Sequence, residues 1–449
     1  MREEHSRSGG AGPLRRRGRA PFSAILLIAT IGSSACLAQG PPLAQQLLAS
    51  IRTADTATLT QIARGPRTPE SEVAEGVLAA FQGNDENAVR ILQVSGASSA
   101  IAPELRFEAW RALADVHRRN GRFVAAVSAL EAGLGLGLKQ DALDAQSIET
   151  ALTNDRALVT VAPMQADVGR SAVVPIERNA LRLPQALLFV NGQRQEVVLN
   201  PSAPTSVIAE SVARRLGLRL LDRAGQVLSS AAGNLQARFA VADTLKFAGA
   251  DFREVLFTVL TDDALTFTDA GVSAKVEATL GFPVMRRLGR LEFAITEQGE
   301  RLRRRSTRAA NRASSNMILA GSQPVAIVNV EGSAAPLRLA LDTGSIRSSL
   351  TRLGASEFPT LMANAISQDR NPGSGAATQV IPRMVVKLGE ENVRLANIAV
   401  AGGPPCCHGV MGQDILRSRA GYIIDFDAMR VELMSLSGSR SSPRDLRAR

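Results

Sequence analysis

The amino-acid sequence predicts an α plus all-β protein: a helical N-terminal domain followed by two β-rich lobes built on one plan. Three observations carry this. From Pro41 to about Asp155, apolar residues recur at spacings of three and four with few β-branched runs, which is the period of helices. From about Ala172 to Leu436 the texture changes to short apolar strands punctuated by Gly, Asn and Pro. The two halves of that second stretch then repeat one another, landmark by landmark.

The 449 residues are enough for two or three domains. A hydrophobic fraction of 45% is ample for sizeable cores, but aromatics at 4% mean those cores are built from Ala, Leu and Val. The formal net charge is +10, with Arg gathered in the N-terminal leader, in the segment from Arg301 to Arg312 and in the tail. No aromatic-and-basic element accompanies it, so the charge reads as solvated linker and nucleic acid is excluded as a partner. Of the three cysteines, Cys406 and Cys407 are adjacent, where ordinary disulfide geometry is out of reach.

The N-terminus has the order of an export signal over residues 1–38. A basic stretch ending Arg15-Arg16-Arg17-Gly18-Arg19 precedes an apolar run from Phe22 to Ile31 and then small residues ending Ala35-Cys36-Leu37-Ala38. The run is short of the ~20 residues of a spanning helix. Cleavage near Cys36 or Gln39 is expected, which places the mature chain in a bacterial periplasm or outside the cell. An uncleaved membrane anchor, or acylation at Cys36, is the competing reading.

Residues 39–160 form the expected helical domain. Trp110, Leu113, Ala114, His117, Gly121, Phe123, Ala126 and Leu130 resemble a tetratricopeptide repeat, a helix–turn–helix unit in which small residues let two helices approach. Gly76, Gly83, Ala88 and Leu92 form a weaker copy, with Ala88 and Ala126 38 apart instead of the usual 34 or so. A generic helical bundle remains an equal reading. Such a domain would recruit a protein partner. His117 reads as a packing residue. Gly133-Leu134-Gly135-Leu136-Gly137 follows a helix, not a strand, so it is no dinucleotide loop.

The β half divides into a first lobe over 172–297, an Arg- and Ser-rich linker over 298–315, a second lobe over 316–436 and a disordered tail over 437–449. Phe189-Val190-Asn191-Gly192 matches Ile327-Val328-Asn329-Val330, and Val198-Leu199-Asn200-Pro201-Ser202-Ala203 matches Ala340-Leu341-Asp342-Thr343-Gly344-Ser345. Val207-Ile208, Lys246-Phe247, Thr279-Leu280-Gly281 and Arg290-Leu291-Glu292-Phe293 match Ser349-Leu350, Lys387-Leu388, Val410-Met411-Gly412 and Ile423-Ile424-Asp425-Phe426 in the same order.

Leu341-Asp342-Thr343-Gly344-Ser345, trailed by Val410-Met411-Gly412-Gln413-Asp414-Ile415-Leu416 and Tyr422-Ile423-Ile424-Asp425-Phe426, resembles the retropepsin-like aspartic peptidases. The resemblance implies two closed β lobes and a catalytic Asp342. Two such carboxylates about 3 Å apart share one proton, and the ionised one acts as base on a water. It further implies that Thr343 braces the lobes, that Gly344 allows close backbone approach to the carboxylate, that Ser345 hydrogen-bonds its outer oxygen, and that Gly412 belongs to an apolar strand beneath the loop. A peptide or protein substrate would lie as an extended strand under a hairpin flap. Asn371-Pro372-Gly373-Ser374-Gly375, with Gly373 and Gly375, is the candidate flap turn; an ordinary surface loop is the other reading.

The first lobe departs from the pattern, with Asn200 for the aspartate, Pro201 for the threonine and Ser202 for the glycine. Two pairings follow. If the lobes pair within one chain, Asp342 meets Asn200 and the site is nearly inert. If two chains form a homodimer through their second lobes, two copies of Asp342 meet. The expected function is an exported endopeptidase acting through Asp342; the alternative is a non-catalytic peptide-binding or scaffold protein. Asp414 and Asp425 read as structural. Cys406-Cys407-His408 is a poor metal site, since adjacent cysteines ligate one tetrahedral ion awkwardly, and neither metal nor cofactor is expected.

Overall fold

The computed structural model describes residues 42–229, 233–269, 272–305, 315–368, 378–402 and 406–435. The export signal, the tail after Ser435 and the candidate flap glycines Gly373 and Gly375 lie outside them. No helix among the described residues is long and apolar enough to cross a membrane.

The helical domain comprises Leu43–Arg52, Thr56–Ala63, Pro69–Phe81, Asp85–Ala97, Pro103–Arg119, Phe123–Leu134 and Ala142–Ala157. Its starts are written locally. Asp55 caps the second helix, and Thr68 and Ser71 form a reciprocal capping box ahead of Pro69. Two helix hairpins follow in tandem, and each turns on a glycine at φ +70°, Gly83 and Gly121, where a Cβ would be strained. Small residues set the spacing: a Cβ on Gly76 would meet Leu92 at 2.8 Å, and one on Gly96 would meet the Trp110 ring at 2.6 Å. The hairpins have the helix–turn–helix form expected, without distinguishing tetratricopeptide units from a generic bundle.

Both lobes are closed six-stranded circuits with one topology. In lobe 1 the strands pair in the order Pro184–Val190, Gln193–Leu199, Ala278–Leu280, Ser206–Ala209, Ala250–Leu260, Gly233–Phe247, and back to the first. In lobe 2 the order is Gln323–Val330, Leu337–Leu341, Gly409–Met411, Ser349–Thr351, Glu391–Ala401, Thr378–Leu388, and back. Closure removes the exposed strand edges that would otherwise aggregate. Even an irregularity is repeated: Glu254 and Asn397 sit at φ +54° and +56° in matching strands, each skipped in the pairing register.

Ladder registers correct one landmark of the repeat. Val190 pairs with Leu245 next to Lys246, and Val330 pairs with Val386 next to Lys387. Val190 therefore corresponds to Val330, two residues away from the match read from Asn-bearing tetrapeptides. The Asn200 and Asp342 loops correspond as expected, because Leu199 pairs with Leu280 as Leu341 pairs with Met411.

A third sheet joins the lobes. Arg430–Leu433, Gly421–Asp425, Arg290–Thr296, Gly299–Arg305 and Ala172–Arg178 run antiparallel side by side, with the lobe 2 strand Gly421–Asp425 paired directly to Arg290–Thr296 of lobe 1. Tyr422 stacks on Phe293 at 4.5 Å within it. This corrects the linker: residues 299–305 are strand, so the expected linker of 298–315 shrinks from its N-terminal side. Leu302 and Arg304 are the inward residues, and the buried Arg304 guanidinium donates to the carbonyls of Ala248, Gly169 and Arg170. Lobe 1 also starts earlier than expected, since Gln165–Val168 pairs with Ala250–Leu260.

The helical domain packs on the β half through polar and apolar contacts. Asp85 receives Arg119 from its own domain and Arg286 from lobe 1, and Arg119 continues to the Gly321 carbonyl of lobe 2. Asn154 makes two bonds to the backbone of Gln226, and Phe123, Leu158 and Val161 cluster with Phe239 and Val241.

Candidate active site

Asp342 ends the buried strand Leu337–Leu341, and Asn200 ends its counterpart Gln193–Leu199. The two loops are built bond for bond alike. Asp342 N donates to Met411 O at 3.1 Å, and Asn200 N to Leu280 O at 3.0 Å. Gly344 N donates to Asp342 Oδ1 at 2.8 Å, and Ser202 N to Asn200 Oδ1 at 2.9 Å. Ser345 N reaches Asp342 O at 3.3 Å, and Ala203 N reaches Asn200 O at 3.2 Å. Ser202 makes the same backbone approach as Gly344, because only its N–H is needed there.

The loops face each other within one chain. The Asn200 amide and the Asp342 carboxylate converge beside Gly344, and the amide opposes the rise in the Asp342 pKa. A Cβ on Gly344 would lie 2.6 Å from Asn200 Nδ2 and 3.0 Å from Asp342 Oδ1, which is why this position must lack one. Within one chain, the face that a second Asp342 would occupy holds Asn200.

The brace is one-sided. Thr343, fully buried, donates its hydroxyl across the interface to Leu199 O. Pro201 has neither hydroxyl nor N–H to return the bond. Two residues the sequence did not single out take part instead. Ser202 Oγ crosses to Gln323 Oε1 of lobe 2 at 3.0 Å, and Gln413 Nε2 holds Thr343 O at 2.7 Å. The only sequence signal for Gln413 is that it directly follows Gly412.

Ser345 Oγ donates to Asp342 Oδ2 at 3.1 Å. Burial raises the Asp342 pKa above the ordinary carboxylate value, opposed by the donors Gly344 N, Ser345 Oγ and Asn200. Gly412 passes beneath, where a Cβ would meet the Arg347 carbonyl carbon at 2.7 Å, and its N–H donates to Ser348 Oγ at 3.0 Å. Asp414 accepts from Ser348 N and Ile415 N, and Asp425 accepts from Asp427 N, Ala428 N and Arg290. Both carboxylates are occupied in holding turns. Ile366–Gln368 pairs with Thr378–Leu388, and the candidate flap turn lies outside the described residues.

Cys406 and Cys407 form a vicinal disulfide, and Cys407 is buried against Ala54 of the helical domain. His408 Nδ1 accepts from Arg338 N at 3.2 Å while Nε2 lies 2.9 Å from Glu357. Burial and the Arg338 charge push its pKa down to about 4, so it is a neutral packing histidine near pH 7. His117, likewise, is held neutral by burial on its helix.

Residues 188–284 match the family model described as aspartyl protease. The match falls on lobe 1, the lobe that has lost the aspartate. No curated protein matches the chain. Among solved structures, a retropepsin-like aspartic protease from Rickettsia conorii is similar at 17% identity, covering 32% of this chain and 96% of that one, with a TM-score of 0.21. The family match thus covers lobe 1, and lobe 2 repeats its strand order with Asp342-Thr343-Gly344-Ser345 at the junction of the two.

Proposed function

We propose that the chain is an exported protein that holds an extended peptide segment between its two lobes, across Asp342, without efficient hydrolysis. The observation that carries this is the Asn200 amide beside the Asp342 carboxylate, in the place of a second carboxylate. Hydrolysis in this family needs one carboxylate as base and a second that carries the shared proton. An amide supplies neither, and it occupies the side of Asp342 where the proton would be shared. The binding apparatus does not depend on that proton. Strand-like backbone pairing and alternate side-chain pockets would recognise peptide in either state. The helical domain would then present a partner or deliver the segment.

A second reading, endopeptidase activity through Asp342, is favoured by one observation: the Asp342 loop keeps its full set of donors and a raised pKa, as a proton-transferring carboxylate would. A peptide library assayed for both binding and turnover separates the two. The first reading expects saturable binding by wild type and by Asp342→Asn with no turnover in either. Cleavage by a monodisperse monomer that vanishes in Asp342→Asn would overturn it in favour of the second. Export is tested separately, by terminal sequencing of protein recovered outside the cytoplasm; a chain still beginning at Met1 would contradict cleavage.

A further inference from the structure

Away from the Asp342 loop, the seam between the helical domain and lobe 1 encloses a cavity of about 360 Å³. That is within the range of small-molecule sites, roughly 300–1,000 Å³. Its apolar walls are Phe123, Leu158 and Val161 from the helical side, and Val227, Phe239 and Leu256 from lobe 1.

Polar side chains make up about half of the lining residues, and the charged ones are mostly committed, Glu254 to Arg219 among them. Arg118 is held by Asp155 and Asp115. Arg119 and Arg286 both bind Asp85. Arg287 differs. It is exposed at the rim, also lines the wider groove beside Asp85, and has no ion pair among the described residues. Deeper in, the buried Thr258 hydroxyl is paired with that of Thr205 at 2.6 Å. Two hydroxyls bonded to each other use one proton and leave the other for an acceptor in the cavity, since neither has a further partner among the described residues.

We propose that this cavity binds a small organic anion with a predominantly apolar body. The body lies between the Phe123–Leu158 wall and the Val227–Phe239 wall, an oxygen accepts from the Thr205–Thr258 pair, and the anionic group sits at Arg287. The site does not depend on the peptide-binding reading. A ligand there touches both domains and binds only their assembled state, so it also stabilises the seam.

Two probes test this on the full chain: 1-anilinonaphthalene-8-sulfonate, and N-phenyl-1-naphthylamine, which has the same aromatic body and no charge. Fluorescence titration should show saturable one-to-one binding of both, tighter for the sulfonate. Arg287→Gln should weaken the sulfonate roughly three- to tenfold, as for a partly exposed charge contact, and leave the neutral probe unchanged. Thr150→Trp, placed in the cavity from the helix Ala142–Ala157, should weaken both at least about tenfold with the melting temperature unaltered. If that variant melts early, Val227→Phe fills the cavity from the lobe 1 side instead. Absence of saturable binding, binding indifferent to both filling variants, or equal loss of both probes in Arg287→Gln would overturn the proposal.

Discussion

Replacing Asn200 by Asp would put a second carboxylate where an amide now faces Asp342, and its consequence can be worked out. Two unit charges about 4 Å apart at an effective dielectric of about 20 repel by roughly 4 kcal/mol. That is about a thousandfold in acidity for the second proton, so the pair keeps one proton near neutral pH. The sign for stability follows. A carboxyl whose folded pKa is raised favours folding fully below its unfolded pKa and loses that contribution as pH rises through the folded pKa. Wild-type Asp342 already has this sign, because burial raises its pKa. Asn200→Asp should therefore match wild type near pH 3 and fall behind as pH rises, reaching a deficit of about 4 kcal/mol at pH 7. For a cooperative unit of about 250 residues this is on the order of 10 °C in melting temperature. The assay is scanning calorimetry of wild type, Asn200→Asp and Asp342→Asn from pH 3 to 8. A difference between wild type and Asn200→Asp that does not vary with pH would refute the claim that these side chains face each other.

Other expectations are simpler. Thr343→Val removes the single hydroxyl brace to Leu199 and should cost about 1–3 kcal/mol, read by urea unfolding; an unchanged midpoint would mean the interface rests elsewhere. Asn154→Ala should cost about 1–2 kcal/mol and speed amide exchange in the Arg219–Ser229 and Gly233–Phe247 strands before any other part of lobe 1. Limited trypsin treatment should spare Arg303, Arg304 and Arg305, which lie in a paired strand, and early cleavage there would contradict the third sheet.

The Asp342 loop is legible because it is short and its hydrogen bonds need particular side chains at consecutive positions. The helical and β segments were legible from periodicity. The third sheet was not. In Gly299–Arg305 the alternation of exposed and buried residues is hidden, since one of the two inward side chains is Arg304, whose partners are backbone carbonyls more than 50 residues distant in sequence. The slip at Phe189 arose because an Asn-bearing turn looks the same two residues along, whereas register is fixed by long-range pairing that a single sequence does not display. The identity of Asp342's partner was equally a matter of long-range assembly. Both pairings suit the same residues, and the contact within one chain brings Asn200 beside Asp342.

The sheet shared between the lobes has a consequence for how the chain reaches its native state. Gly421–Asp425 finds one neighbour, Arg430–Leu433, within its own lobe and the other, Arg290–Thr296, in the lobe synthesised before it. Lobe 1, emerging first, already presents a templating edge when lobe 2 leaves the ribosome. A fragment beginning at Ser315 would instead expose Gly421–Asp425 as a bare apolar edge, with Ile423 and Ile424 beside an open ladder. Such a fragment invites self-association through that edge. Any dimer it forms would report on the lost neighbour, not on the geometry around Asp342.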